Sequence, residues 1–513
     1  MTPRAPPARA AYAPAHSSPP LTCQTNNVKT GRASGILLHP TSLPGRFGIG
    51  DLGPEAFRFA DWLAAGGQRI WQVLPLGPVG YGESPYQLFS AFAGNPMLIS
   101  PERLVERGWL AASDLALPPS FGEDRVAFEK AMPWKTRLFQ QAFARFRGGP
   151  EFDAFTRENA AWLDAFARFM ALKEANGGVS WRDWNPAVDA APRAVEFHKF
   201  LQFEFFREWR ELKTYCANRG IAIMGDIAIY AAMDSADVWS RPDLFRFDAV
   251  AGVPPDYFSA TGQLWGNPIY CWDRMKTEGY AWWIARMRAA LDLFDVVRLD
   301  HFRGFEAYWQ VPAGETTAVR GEWIQGPGSN LFHALEAALG KLPLVAENLG
   351  VITPEVEAIR REFGFPGMAV LQFAFGKDPQ ADSFKPHNYE RNLVAYSGTH
   401  DNDTANGWWR SEGAGDSTRT ADDVRREKAL TRAYLDTDGA EIHWTFIRTL
   451  MASVADTVLF PMQDVLGEGS AARMNIPATA SGNWRWRMRG DGATAERARR
   501  LRDLAELYGR ASS

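Results

Sequence analysis

The chain has 513 residues, 46% of them hydrophobic and 23% charged, which supplies a sizeable core and excludes disorder for most of its length. A formal charge of −4, from 56 basic and 60 acidic side chains, excludes the basic field that nucleic acid requires and suits a neutral or small ligand. No apolar run is long enough to span a membrane, and three scattered cysteines, Cys23, Cys216 and Cys271, with no CxxC pair or metal-finger pattern, point to a reducing compartment.

Residues 1–30 are rich in Ala, Pro and Ser and contain no acid, so they read as a disordered tail or an organelle transit peptide preceding a catalytic unit over 31–513. Eight β-like runs follow: Gly35 to Leu38, Ile70 to Leu74, Ile221 to Gly225, Val296 to Leu299, Leu344 to Ala346, Met368 to Gln372, Leu393 to Tyr396, and Val458 to Met462. Most are continuously apolar, as strands of a parallel sheet buried on both faces are. Between the second and third, residues 101–195 are too long for one crossover and hold helical pieces over 127–147 and 155–175, which predicts an inserted helical subdomain.

Residues 253–272, rich in Pro, Gly and aromatics, read as a loop insertion over one mouth of the fold. Tyr280, Trp283, Met287, Leu291 and Phe294, spaced by three and four, predict a helix before the fourth strand, and Thr353-Pro354 reads as an N-cap opening another after the fifth. Alternating strands and helices of this kind predict an α/β fold, a (β/α)8 TIM barrel with insertions.

Three acids, Asp300, Glu347 and Asp401, each close an apolar run, in FDVVRLDHF, LVAENLG and VAYSGTHDND. Successive acids lie about 50 residues apart, room for a strand, a returning helix and loops, so they are expected to meet at one rim and to serve glycosidic-bond chemistry. Arg298, two residues before Asp300, leaves the strand on the same face and favours the ionised carboxylate. The bland alternatives are an internal ion pair for Arg298 and Asp300 and a helix-capping role for Glu347. His301, His400, Asp401 and Asp403 could also be read as metal ligands, but carboxylate chemistry on a sugar needs no metal, and neither metal nor cofactor is expected. Aromatics make up 13% of the chain, with 20 Trp, and serve both cores and the faces of sugar rings.

The blocks HPTSLPGRFGIGDLG, GYGESPYQ, GVPPDYFSATGQLWGNPIY, VRLDHFRG, AENLG, GTHDND, ARMN and NWRWR occur in that order. Through them the chain, from about Ser34 to Arg487, resembles the 4-alpha-glucanotransferases (amylomaltases or disproportionating enzymes) of glycoside hydrolase family 77 in the α-amylase clan. The resemblance implies a barrel without a separate C-terminal β domain, Asp300 as nucleophile, Glu347 as acid/base and Asp401 as the third acid, which distorts the donor sugar. It places His400 as a sugar-hydroxyl donor, Asp226 near the site, Tyr86 against the donor sugar, Asp256 and Trp265 on the acceptor side and Phe373 at a gate. Arg298, His301 and Asn475 join the substrate-binding set.

The implied reaction moves a segment of an α-1,4-glucan to the 4-hydroxyl of an acceptor glucan or glucose, by retaining double displacement. Its partners would be maltooligosaccharides, amylose, and starch or glycogen fragments, with glucose as acceptor, acted on by a cytoplasmic or, if the tail is a transit peptide, plastid monomer or homodimer. Departures from the family pattern are Ala228 where proline is common, and Glu468, Ala471 and Ala478 near the last strand. An amylase-type hydrolase, a metal-dependent barrel hydrolase and a non-catalytic glucan-binding protein are the competing readings.

Overall fold

A computed structural model describes residues 31–116, 120–255, 259–413, 419–479 and 481–511; the tail over 1–30 and Asp256 lie outside the described residues. Eight strands carry the barrel: β1 (Ala33–Leu37), β2 (Ile70–Gln72), β3 (Ala222–Ile227), β4 (Val296–Leu299), β5 (Leu344–Ala346), β6 (Gly367–Val370), β7 (Leu393–Tyr396) and β8 (Thr457–Pro461). Each coincides with one of the eight apolar runs, to within two residues at the ends.

Every neighbouring pair from β6 through β8 and β1 to β5 is parallel. Closure between β5 and β6 rests on the Ala346 amide donating to the Pro366 carbonyl at 2.9 Å and the Met368 amide donating to Asn348 Oδ1 at 2.7 Å. Ala33, Ile70, Met224, Val345, Met368, Val370, Val394, Tyr396 and Leu459 fill the interior as one buried cluster. Burying each large aliphatic side chain there stabilises the barrel by about 1.5–3 kcal/mol. Gly225 on β3 is required by packing, because a Cβ there would meet the Phe294 ring at 2.1 Å.

Between β2 and β3 lie the helices Pro101–Glu106, Phe128–Arg145, Pro150–Glu158, Ala160–Ala175 and Pro192–Ala217. The helix expected over 155–175 is in fact two. Asn159 leaves helical geometry at φ −102° and ψ 5°, and its Nδ2 donates to the Phe155 carbonyl at 2.9 Å, closing the first helix where the second begins. The expected helix before β4 forms over Ala281–Leu293 and buries Trp283 and Met287. Another runs over Pro354–Glu362, but the Thr353 side chain makes no capping bond; Pro354, whose fixed φ suits a first helical turn, is what starts it.

Residues 253–272 correct the sequence reading. They are loop only in part: Val253 ends the strand Phe245–Val253, which pairs antiparallel with Gln263–Tyr270, and with Ala307–Pro312 and Glu322–Gln325 these build a four-stranded sheet beside the barrel. Two register shifts, between Arg246 and Val250 and between Val250 and Gly252, together with Gly266 and Pro268, break the period-2 pattern that would have signalled strands.

Candidate active site

Parallel strands bring their carboxyl ends to one rim, and the acids leave from those ends. The ladder runs one residue past the strands: the Asp300 amide donates to the Ile227 carbonyl at 3.1 Å and the Glu347 amide to the Leu299 carbonyl at 3.1 Å. Asp300 and Glu347 thereby stand level with each other, one residue past β4 and β5, while Asp226, within β3, is level with Arg298.

Arg298, only 4% exposed, is the hub. Its Nη1 donates to Asp226 Oδ2 at 2.7 Å and to Asp300 Oδ1 at 2.9 Å. Tyr86 reaches in from the loop after β2, and its hydroxyl donates to the same Asp226 oxygen at 2.9 Å. The other Asp226 oxygen is buried with no hydrogen-bond partner among the described residues. Burial lifts the Asp226 carboxyl to about 6, against the pull of Arg298.

Glu347 is raised to about 8, first by burial and then by the Asp300 charge, with Arg298 opposing. Two amides also oppose the shift by favouring the carboxylate: His301 N donates to Oε2 at 2.7 Å and Leu349 N to Oε1 at 2.9 Å. At neutral pH Glu347 therefore carries a proton. His301 is neutral, pushed down to about 4 by burial, and takes a left-handed backbone at φ 50°.

Asp401, on the loop after β7, is half-exposed. Asn475 Nδ2 donates to its Oδ1 at 2.6 Å, Arg473 Nη2 donates to its carbonyl at 2.6 Å, and His400 Nε2 stands 3.4 Å from its Oδ2. The loop is braced from below by Asp464, whose carboxylate accepts from Ser397 Oγ at 2.6 Å and from the Ala405 amide at 2.7 Å. Asp403 accepts from the Thr404 amide at 2.8 Å and Ser470 Oγ at 2.7 Å, next to Thr404, which caps the helix Ala405–Arg410. Among the described residues no group of three or more His, Cys, Asp or Glu is arranged to hold a metal ion.

Aromatic side chains join these groups. Tyr86 stacks on His400 at 5.2 Å between centroids, and Trp484 lies 5.9 Å and 5.8 Å from the two rings. Trp265 sits edge-on to His301 at 4.8 Å and 87°, and Phe373 packs against Phe384 at 5.5 Å. The structure thus gathers Tyr86, Asp226, Arg298 and Asp300 into one network, Glu347, His301 and Trp265 into a second, and His400, Asp401 and Asn475 into a third that Tyr86 joins to the first. Phe373 packs with Leu349 on the barrel's inner core. Sequence reasoning did not single out Arg473, Trp484 or Asp464, although the first two lie inside the ARMN and NWRWR blocks that it noticed.

Fold and site together define a carboxylate-bearing (β/α)8 enzyme. The 4-alpha-glucanotransferase family profile, glycoside hydrolase family 77, matches residues 38–494, and the chain belongs to that family. It is 50% identical to a 4-alpha-glucanotransferase of Synechocystis sp., over 93% of this chain and 98% of that one. Identity to a 4-alpha-glucanotransferase of Thermus thermophilus is 47%, with the same coverage. Among solved structures, the amylomaltase from Streptococcus agalactiae in complex with acarbose superimposes with a TM-score of 0.88 at 37% identity, over 94% of this chain and 100% of that one. The chain is therefore a 4-alpha-glucanotransferase.

Proposed function

We propose that the enzyme moves α-1,4-glucan segments by retaining double displacement, with Asp300 as nucleophile and Glu347 as acid and then base. The observation that carries this is the placement of Asp300, contacted by Arg298, level with Glu347 at the end of the next strand, where burial raises the Glu347 carboxyl. In the first step Glu347 gives its proton to the glycosidic oxygen, the bond from that oxygen to the anomeric carbon breaks, and an Asp300 oxygen bonds to that carbon. In the second, the Glu347 carboxylate takes the proton of an acceptor 4-hydroxyl, whose oxygen displaces Asp300. Asp401, steadied by Asn475, faces the positive charge that develops on the donor sugar, and Tyr86 and His400 form a flat wall against it.

Water competes for the glycosyl-enzyme, so transfer requires an acceptor bound well enough to exclude it. Trp265, beside the His301 that donates to Glu347, supplies an aromatic face on that side. Incubation with maltotriose alone, with and without chelator, tests the reading. Glucose together with maltopentaose and longer chains, unchanged by chelator, is expected; glucose and maltose without longer chains would mean hydrolysis, and loss in chelator a metal-dependent enzyme.

A further inference from the structure

Three links join the turn after Asp300 to the segment carrying Glu347. Two are near the acids: the His301 amide donates to Glu347 Oε2 at 2.7 Å and the Phe302 amide to the Glu347 carbonyl at 3.1 Å. The third is further out, where Arg303 Nη1 donates to the carbonyl of Val351. Arg303 is 9% exposed, and its partners are a carbonyl and an aromatic face rather than a carboxylate. Its guanidinium carbon lies 3.8 Å from the ring centroid of Trp323, in the edge strand Glu322–Gln325. That strand is itself fastened to the same turn, since Gln325 Nε2 donates to the Glu306 carbonyl at 2.8 Å and the Gly326 amide to the same oxygen at 2.6 Å.

The turn needs such support. A left-handed backbone at a residue other than glycine is strained and persists only where its surroundings hold it. His301 is such a residue, and its amide is aimed at Glu347 only while the turn keeps this shape. A guanidinium can hold a carbonyl and lie flat on an indole at once, which a lysine ammonium cannot do in the same geometry.

We propose that Arg303 is a positioning residue for the reaction: backed by Trp323 and tied to Val351, it holds the His301 turn so that the His301 amide stays on Glu347 and the spacing of the two acids is kept. The inference rests on the assignment of Glu347 as acid/base. It gives the four-stranded sheet a part in catalysis at a place no glucan need touch.

The test uses Arg303→Lys, Trp323→Ala and Trp323→Phe in the full chain, with maltotriose transfer measured across pH. The groups facing Glu347 are Arg298 on β4, Asp300 just past its end and Tyr396 from β7, and none of these variants alters them. Releasing the turn weakens a hydrogen bond that favours the Glu347 carboxylate, so Glu347 holds its proton to higher pH and the falling basic limb of kcat/KM moves upward.

Arg303→Lys is expected to lower kcat by about tenfold or more with KM within about twofold, as displaced reacting groups do. Its basic limb should rise by about half a pH unit. Trp323→Ala should shift both quantities the same way by less, and Trp323→Phe should restore them. A limb that stays in place in folded Arg303→Lys and Trp323→Ala would overturn the inference. So would a raised KM at constant kcat in Trp323→Ala, which would make Trp323 a sugar platform. Near-normal turnover in Glu347→Gln would instead overturn the acid/base assignment, leaving the two failures distinguishable.

Discussion

Glu347 and Asp300 follow adjacent strands at one rim, and burial raises the Glu347 carboxyl. With Glu347 raised to about 8, kcat/KM should fall as pH rises through that value, because the first step of the proposed mechanism consumes its proton. Glu347→Gln should slow transfer by at least about 10²-fold while still binding glucan. The same shift has a stability consequence whose sign is opposite to that of a salt-bridged carboxylate. The unfolded chain ionises Glu347 near 4.5 and the native chain near 8, so native stability drains as pH rises between them. Glu347→Gln, which cannot ionise, should therefore melt higher than the parent at pH 8 and at nearly the same temperature at pH 4. An equal Tm difference at both pH values would sink that account.

At the scale of elements, the barrel strands were legible because a strand buried on both faces shows a continuous apolar run, a purely local mark. The four-stranded sheet was not, since its bulges, Gly266 and Pro268 mimic a loop, and its edge strand Glu322–Gln325 is mostly exposed. That difference changes how the acceptor side is to be probed. Cutting residues 253–267 would dismantle a sheet that also carries the Trp323 support, so a single side chain is the cleaner variable. Trp265→Ala is expected to raise the ratio of hydrolysis to transfer about fivefold or more, because water then competes with a less firmly held acceptor. An unchanged ratio, read from glucose release against chain lengthening, would remove Trp265 from that role.

Across the whole molecule, the two ends of the described chain meet under the barrel. Arg510, fully buried, donates to the carbonyls of Met451, Ala33, Ser453 and Ala455, while Arg32 donates to those of Met451 and Ser453. All of these carbonyls but that of Ala33, on β1, terminate the helix Ile442–Ala452 or lie in the turn into β8, and a cation suits the helix's negative end. Arg510→Ala would strand several of them in the interior and should destabilise the fold by about 3 kcal/mol or more, seen as a lower unfolding midpoint, with the site's kcat little changed in the folded fraction. An unmoved midpoint would show that water satisfies these groups.

Sequence alone determined the barrel, its eight strands and the acids at their carboxyl ends, because apolar runs and the residues that follow them are adjacent along the chain. Tertiary structure alone decided which groups act on one another. Tyr86 meets Asp226 across 140 residues and Asn475 meets Asp401 across 74, and neither contact leaves a periodicity to read. The proton on Glu347 belongs to the same class, since it depends on burial by distant segments and on the charge of Asp300. So does the hold of Arg303 on Val351, for a carbonyl has no side-chain identity and any residue could have supplied it.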